Sequence, residues 1–346
     1  MPELRLDPLS GLRVIVAGER SDRPGAFPSA EGRPEIDREG DPFAEGHEDR
    51  TPAELHALRP GGGEANGPGW RVRVVPNLYP ALSSGADGSA GGQAELRRAG
   101  LVEDPLSTGR EQPELLVGRE AVGAHEVIVN APESVDSLLD LGVDGLATAM
   151  GVWRERMRAH LELPYRHLIV NEGREAGASL PHTHAQLYAL PFVPAAVARE
   201  RERFTAYRER TQGRNLLEDL VVEEVKRAER LVAVDAEAVA ICPFASAAPF
   251  QVQVVPRRPV AQFEDDGPLG AALLHEVLER MAGVLGALPP LNMWVRTAPS
   301  GAESFCWRIE LMPRLAQPAG LEIGTGVWLN AVTPERAAEA LRQATP

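Results

Sequence analysis

The sequence predicts an α+β protein built as two units, each a mainly antiparallel sheet with packed helices, and three observations carry that reading. Short β-branched runs recur on both sides of a long charged stretch at residues 191 to 231. Each set of runs is interrupted by one segment with helical periodicity. The 346 residues exceed the ~150 of an average domain, so two cores are expected. A boundary inside the charged stretch gives units of 1–195 and 196–346, the first expected to carry the chemistry.

In the first unit RVIVA (13–17), RVRVVP (71–76), HEVIVNAP (125–132) and RHLIVN (166–171) read as strands, being short and rich in Val and Ile. Residues 22–52, 58–69 and 81–93, rich in Gly, Pro and small polar residues, read as loops. Across 135–162, Leu138, Leu141, Leu146, Met150, Trp153 and Met157 recur at intervals of three to five before a basic end, the pattern of an amphipathic helix. The stretch 191–231 is charged and helical in pattern. The second unit repeats the order: VAVDAEAVAICPF and FQVQVVPR as strands, a helix across 268–287, then LNMWVRTAP and CWRIELMP as strands. Thr333 precedes Pro334 as an N-cap with proline in the first turn. The shared order suggests an ancient duplication.

Composition excludes several classes. A chain that is 43% hydrophobic and 25% charged is neither disordered nor fibrous. It has no run approaching the ~20 apolar residues of a membrane span, and its start lacks a basic segment followed by a long apolar stretch, so no membrane partner and a cytoplasmic address are expected. With 36 basic against 50 acidic residues the net charge is -14, which argues against a nucleic-acid polymer as partner. Cys242 and Cys306 have no metal-ligand spacing and read as half-buried thiols without a catalytic role.

The most informative segment is NEGREAGASLPHTHAQLYALPFVP, residues 171–194. A strand over 183–190 entered at His182 would put His182, His184 and Gln186 on one face. Before it, Gly173, Gly177, Ala178 and Ser179 form a small-residue turn whose amides could meet an anion. A neutral imidazole beside such a turn is a competent nucleophile toward phosphorus and a good leaving group once phosphorylated. The same two histidines also fit a metal pair or a purely structural role.

The pattern N-E-G-x-x-x-G-A-S-x-x-H-x-H-x-Q resembles the active-site signature of the galactose-1-phosphate uridylyltransferase family, within the histidine-triad superfamily. DPLSGLRVIVAGERSDRPGAF, DPFAEGHEDRTPAE, VVPNLYPAL, PAGLEIGTGV and TPERAAEALR resemble further family segments, so the likeness spans most of the chain. The resemblance implies two histidine-triad-like domains and a nucleotidyltransferase with ping-pong chemistry. His184 matches the covalent nucleophile, oriented by the backbone carbonyl of His182. Gln186 and Ser179 match residues holding the transferred phosphate, Asn171 another nucleotide contact, and Asn77, Leu78 and Tyr79 the loop around base and ribose. Arg20 and Arg23 match arginines near the phosphates, in a homodimer with one of them reaching the partner's site. A glutamine at 186, where related hydrolases carry a third histidine, favours transfer over hydrolysis. The expected partners are a nucleotide-sugar and a sugar phosphate, with UMP as the transferred group. Alternatives are an adenylyl-transferring phosphorylase acting on ADP-glucose or a dinucleoside polyphosphate, and a catalytically silent nucleotide-binding regulator.

The sequence departs from the family at its metals. The family's zinc ligands match Asp41, Ala44, Ser134 and His182, too few donors for a closed tetrahedral site. Its second metal site matches Glu200, Arg296, Arg308 and Glu310, which could form a charge-paired cluster instead. No metal and no other cofactor is expected. The family's sugar-binding stretch reads PAGLEIGTGVWLN here, offering Glu322, Thr325 and Asn330, so galactose is not assured.

Overall fold

The computed structural model describes residues 1–19, 36–83, 115–118 and 120–344. Its first half contains strands β1 (Glu3–Leu6), β2 (Arg13–Val16), β3 (His56–Leu58), β4 (Val72–Pro76) and β5 (Ala124–Val129), helix α1 (Gly142–Arg158), then β6 (Tyr165–Glu172) and β7 (His184–Leu190). Helices α2 (Ala195–Arg210) and α3 (Leu216–Arg227) follow. The second half contains β8 (Leu231–Val234), β9 (Ala238–Ile241), β10 (Val252–Pro256), α4 (Ala271–Leu285), β11 (Leu291–Arg296), β12 (Arg308–Pro313), α5 (Gly320–Thr325), β13 (Trp328–Asn330) and α6 (Pro334–Gln343).

Local chemistry explains most boundaries. Gly142, at φ +64°, separates α1 from the short turn Leu139–Leu141, so the helix starts later than its apolar periodicity suggests. The charged stretch divides into two helices because Gly213 takes φ +114° and Asn215 caps α3, accepting from the amides of Leu217 and Glu218. The run 232–244 bends into a hairpin at Asp235, whose carboxylate accepts from the amides of Glu237 and Ala238. Thr333 caps α6 by accepting from the Arg336 amide, as its place before Pro334 predicts.

Ten strands form one antiparallel sheet in the order β3-β4-β5-β7-β6-β11-β12-β10-β9-β8. The α+β class and antiparallel pairing agree with expectation. Each half contributes five strands in one pattern: β3-β4-β5-β7-β6 with α1 between β5 and β6, and β8-β9-β10-β12-β11 with α4 between β10 and β11. Identical strand order with a helix in the same place is the mark of the inferred duplication. The halves join where β6 pairs with β11, which satisfies the backbone groups that two separate sheets would leave as open edges.

One face carries the main core. Val74, Ile128, Leu168, Leu187, Val254 and Ile309 from both halves pack against Trp153, Leu274, Leu278 and Leu341 of the helices. The two cores expected from chain length are therefore continuous here, because the sheet runs through the junction. On the other face α2 and α3 cover the second half, with Phe204, Leu217, Val239, Ile241 and Phe305 buried together. A row of cross-strand partners, Val127, Gln186, Ile169, Trp294, Glu310 and Gln253, shows that this face sets polar residues on β7, β12 and β10 among apolar ones.

A second, small sheet joins the two regions farthest apart in sequence. β13 runs parallel to β2, and Val14, Val16, Ala245 and Trp328 pack together. Arg5 donates to the Phe244 carbonyl at 2.9 Å and to Glu335 at 2.9 Å. Residues 3–16 thus lie against the second half. No helix among the described residues is long and apolar enough to cross a membrane.

Candidate active site

The β6–β7 connection builds the site. Gly173 and Gly177 take φ +83° and +89°, conformations that L side chains resist, and a Cβ at 173 would lie 2.9 Å from Pro290. The turn closes on itself: the Gly177 amide donates to the Arg174 carbonyl and the Ala178 amide to the Gly173 carbonyl. Those two N–H groups are therefore not open to an anion, contrary to the sequence expectation for Gly177 and Ala178. The amides of Ser179 and Leu180 have no partner among the described residues, and Ser179 is exposed. The unpartnered amides of the turn thus lie one or two residues beyond those expected.

His184 is the first residue of β7 and is buried. Its Nδ1 donates to the His182 carbonyl at 2.8 Å, an acceptor with no proton to give, so the ring's own proton sits on Nδ1. The lone pair is thereby fixed on Nε2, and the Nδ1 bond is the one hydrogen bond of this ring among the described residues. Burial lowers the imidazole pKa, against the smaller raising effect of the His182 carbonyl, which keeps the ring neutral. Phe43 meets it edge-on at 5.2 Å.

His182 behaves differently from the expected third head on that face. It precedes the strand, is fully buried, and its ring is committed at both nitrogens: Nδ1 to Asp41 at 2.7 Å and Nε2 to the Ala131 carbonyl at 2.9 Å. Only its carbonyl is turned to the site. Asp41 is itself saturated, accepting from Ser134 at 2.6 Å and from the Phe43 amide at 2.9 Å. Burial would raise the Asp41 carboxyl, but the hydrogen bonds from His182, Ser134 and Phe43 outweigh it and hold the pKa below the ordinary value. Asp41, Ser134 and His182, three of the four positions matched to zinc ligands, thus meet as a closed hydrogen-bonded cluster, while Ala44 offers no donor. That set does not fit a tetrahedral zinc, since Asp41 and His182 are its only two side chains of the kinds that bind zinc and no third His, Cys, Asp or Glu joins them among the described residues.

Gln186 lies two residues on, on the same face as His184. Its Oε1 accepts from Tyr188 at 3.0 Å and lies 3.0 Å from Nε2 of His125. The His125 tautomer follows from its other nitrogen, which accepts the Ala81 amide proton at 3.1 Å and so carries none of its own. The proton is on Nε2 and is donated to Gln186. With Oε1 capped twice, the Gln186 amide presents its NH2 to the site. His125 stacks on Tyr188 at 4.1 Å, and its burial lowers its pKa.

Asn77, Leu78 and Tyr79 follow β4 directly. Asn77 donates its amide to the His125 carbonyl and accepts the Tyr79 amide on its side chain, while Leu78 and Tyr79 are exposed. Its Nδ2 lies 3.1 Å from His125 Nε2. Two donors cannot bond each other, so the Asn77 amide hydrogens stay available. Asn171, on β6, is held from the second half: Asn292 donates to its Oδ1 and to the Ala176 carbonyl, both at 2.8 Å. This leaves the Asn171 NH2 outward. Arg20 and Arg23 lie outside the described residues.

Glu200, Arg296, Arg308 and Glu310 come together as the sequence suggests. Arg308 reaches Glu200 at 3.0 Å and Glu310 at 2.6 Å, and Arg296 reaches Glu200 at 3.4 Å. Gln251 and Gln253 also donate to Glu310. Both cysteines are fully buried, and burial pushes the Cys306 thiol up to about 12 and Cys242 upward too, which fits their lack of a catalytic role. Sequence reasoning missed His125 and Asn292. The histidine in HEVIV was the available signal for the first; the second is one Asn in an apolar strand.

A sheet that presents a buried neutral histidine with a free Nε2 beside an outward-facing amide defines a nucleotidyltransferase of histidine-triad architecture. The family described as "Galactose-1-phosphate uridyl transferase, N-terminal domain" matches residues 1–194, and a domain of unknown function (DUF4921) matches residues 145–344. The chain belongs to the galactose-1-phosphate uridylyltransferase family. It is 29% identical over 357 residues to an ADP-glucose phosphorylase of Arabidopsis thaliana, covering 99% of this chain and 93% of that one. It is 27% identical over 266 residues to a galactose-1-phosphate uridylyltransferase of Thermotoga maritima, covering 72% and 83%. Its fold superposes with a TM-score of 0.78 on a crystal structure of an Arabidopsis thaliana ADP-glucose phosphorylase with bound ADP-glucose, at 26% identity and covering 100% and 99% of the chains.

Proposed function

We propose that the protein transfers a nucleoside monophosphate from a nucleoside diphosphate sugar to a second phosphate-bearing acceptor through a covalent nucleotidyl-His184. The observation that carries this reading is the bond from His184 Nδ1 to the His182 carbonyl, which leaves the lone pair on Nε2. Nε2 attacks the α-phosphorus, the bond to the sugar 1-phosphate breaks, and the electron pair leaves with that phosphate. His184 then carries positive charge, which the His182 carbonyl stabilises by accepting the hydrogen bond from Nδ1–H. The NH2 groups of Gln186 and Asn171 and the free amides of Ser179 and Leu180 hold the α-phosphate oxygens. Attack by a phosphate oxygen of the acceptor breaks the P–N bond and restores the neutral ring. Gln186 takes no proton, so it does not activate water.

UMP is the group that the family resemblance favours. Alignment with an ADP-glucose phosphorylase over nearly the whole of both chains supports a second reading, AMP transfer to inorganic phosphate. No resident metal enters either route. The proposal includes a homodimer, a cytoplasmic address, and a division of labour in which 1–195 supplies the chemistry and 196–346 supports it. Isotope exchange tests the reading: the protein is mixed with UDP-glucose or ADP-glucose and labelled glucose 1-phosphate, with no second acceptor. Label entering one nucleotide-sugar names the base and shows a covalent intermediate. Absence of exchange with both would sink the reading, and labelled phosphate against galactose 1-phosphate then separates phosphorylase from uridylyltransferase.

A further inference from the structure

We infer that His125 is a positioning residue that couples the nucleotide-contact loop to the phosphate-holding glutamine, an inference that rests on the function proposed above. Neither element is rigid by itself. Residues 77–81 form a connection whose Leu78 and Tyr79 are exposed, and an unrestrained glutamine can present oxygen or nitrogen to a ligand with equal ease. His125 addresses both with one ring. Its Nδ1 accepts the Ala81 amide at 3.1 Å and its Nε2–H donates to Gln186 Oε1 at 3.0 Å. The contacts span 44 and 61 residues of sequence, and they add a side-chain link to the backbone pairing that already sets β5 between β4 and β7.

The ring is itself fixed. Its backbone carbonyl accepts the Asn77 amide at 2.9 Å, and Tyr188 stacks on it at 4.1 Å while donating its hydroxyl to the same Gln186 oxygen. A phosphate oxygen accepts hydrogen bonds and repels a carbonyl oxygen, so a glutamine whose Oε1 is capped from two sides is held as a donor before substrate arrives. The two nitrogens therefore have separable consequences. Nδ1 fixes where the base and ribose loop stands; Nε2 fixes which end of Gln186 meets the phosphate.

Two conservative substitutions separate them. In His125→Asn the amide group lies near the position of Nδ1, preserving the Ala81 tether and losing the Gln186 bond. In His125→Gln it lies near Nε2, preserving the Gln186 bond and losing the tether. His125→Gln is expected to raise KM for the nucleotide-sugar about tenfold with kcat within about twofold, and His125→Asn to lower kcat about tenfold with KM little changed. His125→Phe keeps the stack on Tyr188 and is expected to show both losses. Amide exchange of Ala81 in the free protein, read by NMR, supplies a readout independent of turnover: slow in wild type and His125→Asn, and about tenfold faster in His125→Gln and His125→Phe. A wild type that turns over no nucleotide-sugar would sink the proposed function while the exchange rates still decide the tether. Equal Ala81 exchange in all four proteins, or KM and kcat changing in the same proportion in the Asn and Gln variants, would overturn the inference.

Discussion

At the start of β7 the chain places His184 and Gln186; at the start of β12, the strand in the same position of the second half, it places Arg308 and Glu310. The first pair keeps an unpartnered Nε2 and a free amide NH2. The second pair is closed by Glu200 reaching down from α2, with two glutamines completing Glu310. One scaffold thus supports two outcomes. A reactive group requires unfilled hydrogen-bonding capacity, which the first half protects by committing every group behind His184, from Asp41 and Ser134 to His182. The second half spends most of its capacity on ion pairs within the cluster, although Nη1 of Arg308 and Nε of Arg296 stay without a hydrogen bond.

This comparison predicts where substitutions hurt most. Arg308→Met leaves buried Glu200 with Arg296 alone and Glu310 with two neutral glutamines, and should lower stability by about 3 kcal/mol in urea unfolding. A cost under about 1 kcal/mol would mean that the second pocket is not closed by charge. Replacing Glu200, Arg308 and Glu310 together with apolar residues of similar size should recover most of the loss.

Acid should act next most strongly, and on the open side. His167 on β6 is held well below its usual 6.5, at about 3, by burial and by the neighbouring Arg296. The unfolded chain binds this proton below pH 6.5 and the folded chain does not until about pH 3, so stability present above pH 6.5 falls on acidification. The slope is roughly 1.4 kcal/mol per pH unit across the middle of that window. His184 and His125, both lowered by burial, act with the same sign. Stability that rises between pH 6 and pH 4.5 would contradict their neutral burial.

Asp41→Ala removes the acceptor of the His182 ring and the Ser134 hydroxyl, and is expected to cost about 1–3 kcal/mol. Activity should fall by more than the stability loss accounts for, since the His182 carbonyl that aims His184 is carried on the same residue. Thr333→Ala, far from either pocket, should cost about 1 kcal/mol through the lost cap on α6 and leave turnover unchanged. A rate change there would mean that the cap on α6 acts on the site through the shared sheet and core.

Much of this was legible in the sequence, for physical reasons that differ by region. The runs at 71–76, 125–132 and 166–171, each with adjacent β-branched Val or Ile, announce strands because these side chains leave few other conformations favourable. ELRL, HAL and WLN, which form β1, β3 and β13, are too short and mixed to do so; they become strands by pairing. The continuous sheet depends on β6 meeting β11, a choice made by exposed edges rather than by local pattern. Within the site, the alternation of His184 and Gln186 was readable at period two. The commitment of His182 was not, because its partner Asp41 lies 141 residues away. His125 and Asn292 escaped notice for the same reason, each acting on residues that only the folded sheet brings near.

The central claim is that Nε2 of His184 forms the covalent bond. Intact-mass measurement after exposure to UDP-glucose and ADP-glucose tests it directly, in wild type and in His184→Gly. The account predicts one added nucleoside monophosphate in wild type, lost on mild acid treatment, with no adduct on a folded His184→Gly protein. An adduct that persists in His184→Gly would place the nucleophile elsewhere and contradict the account.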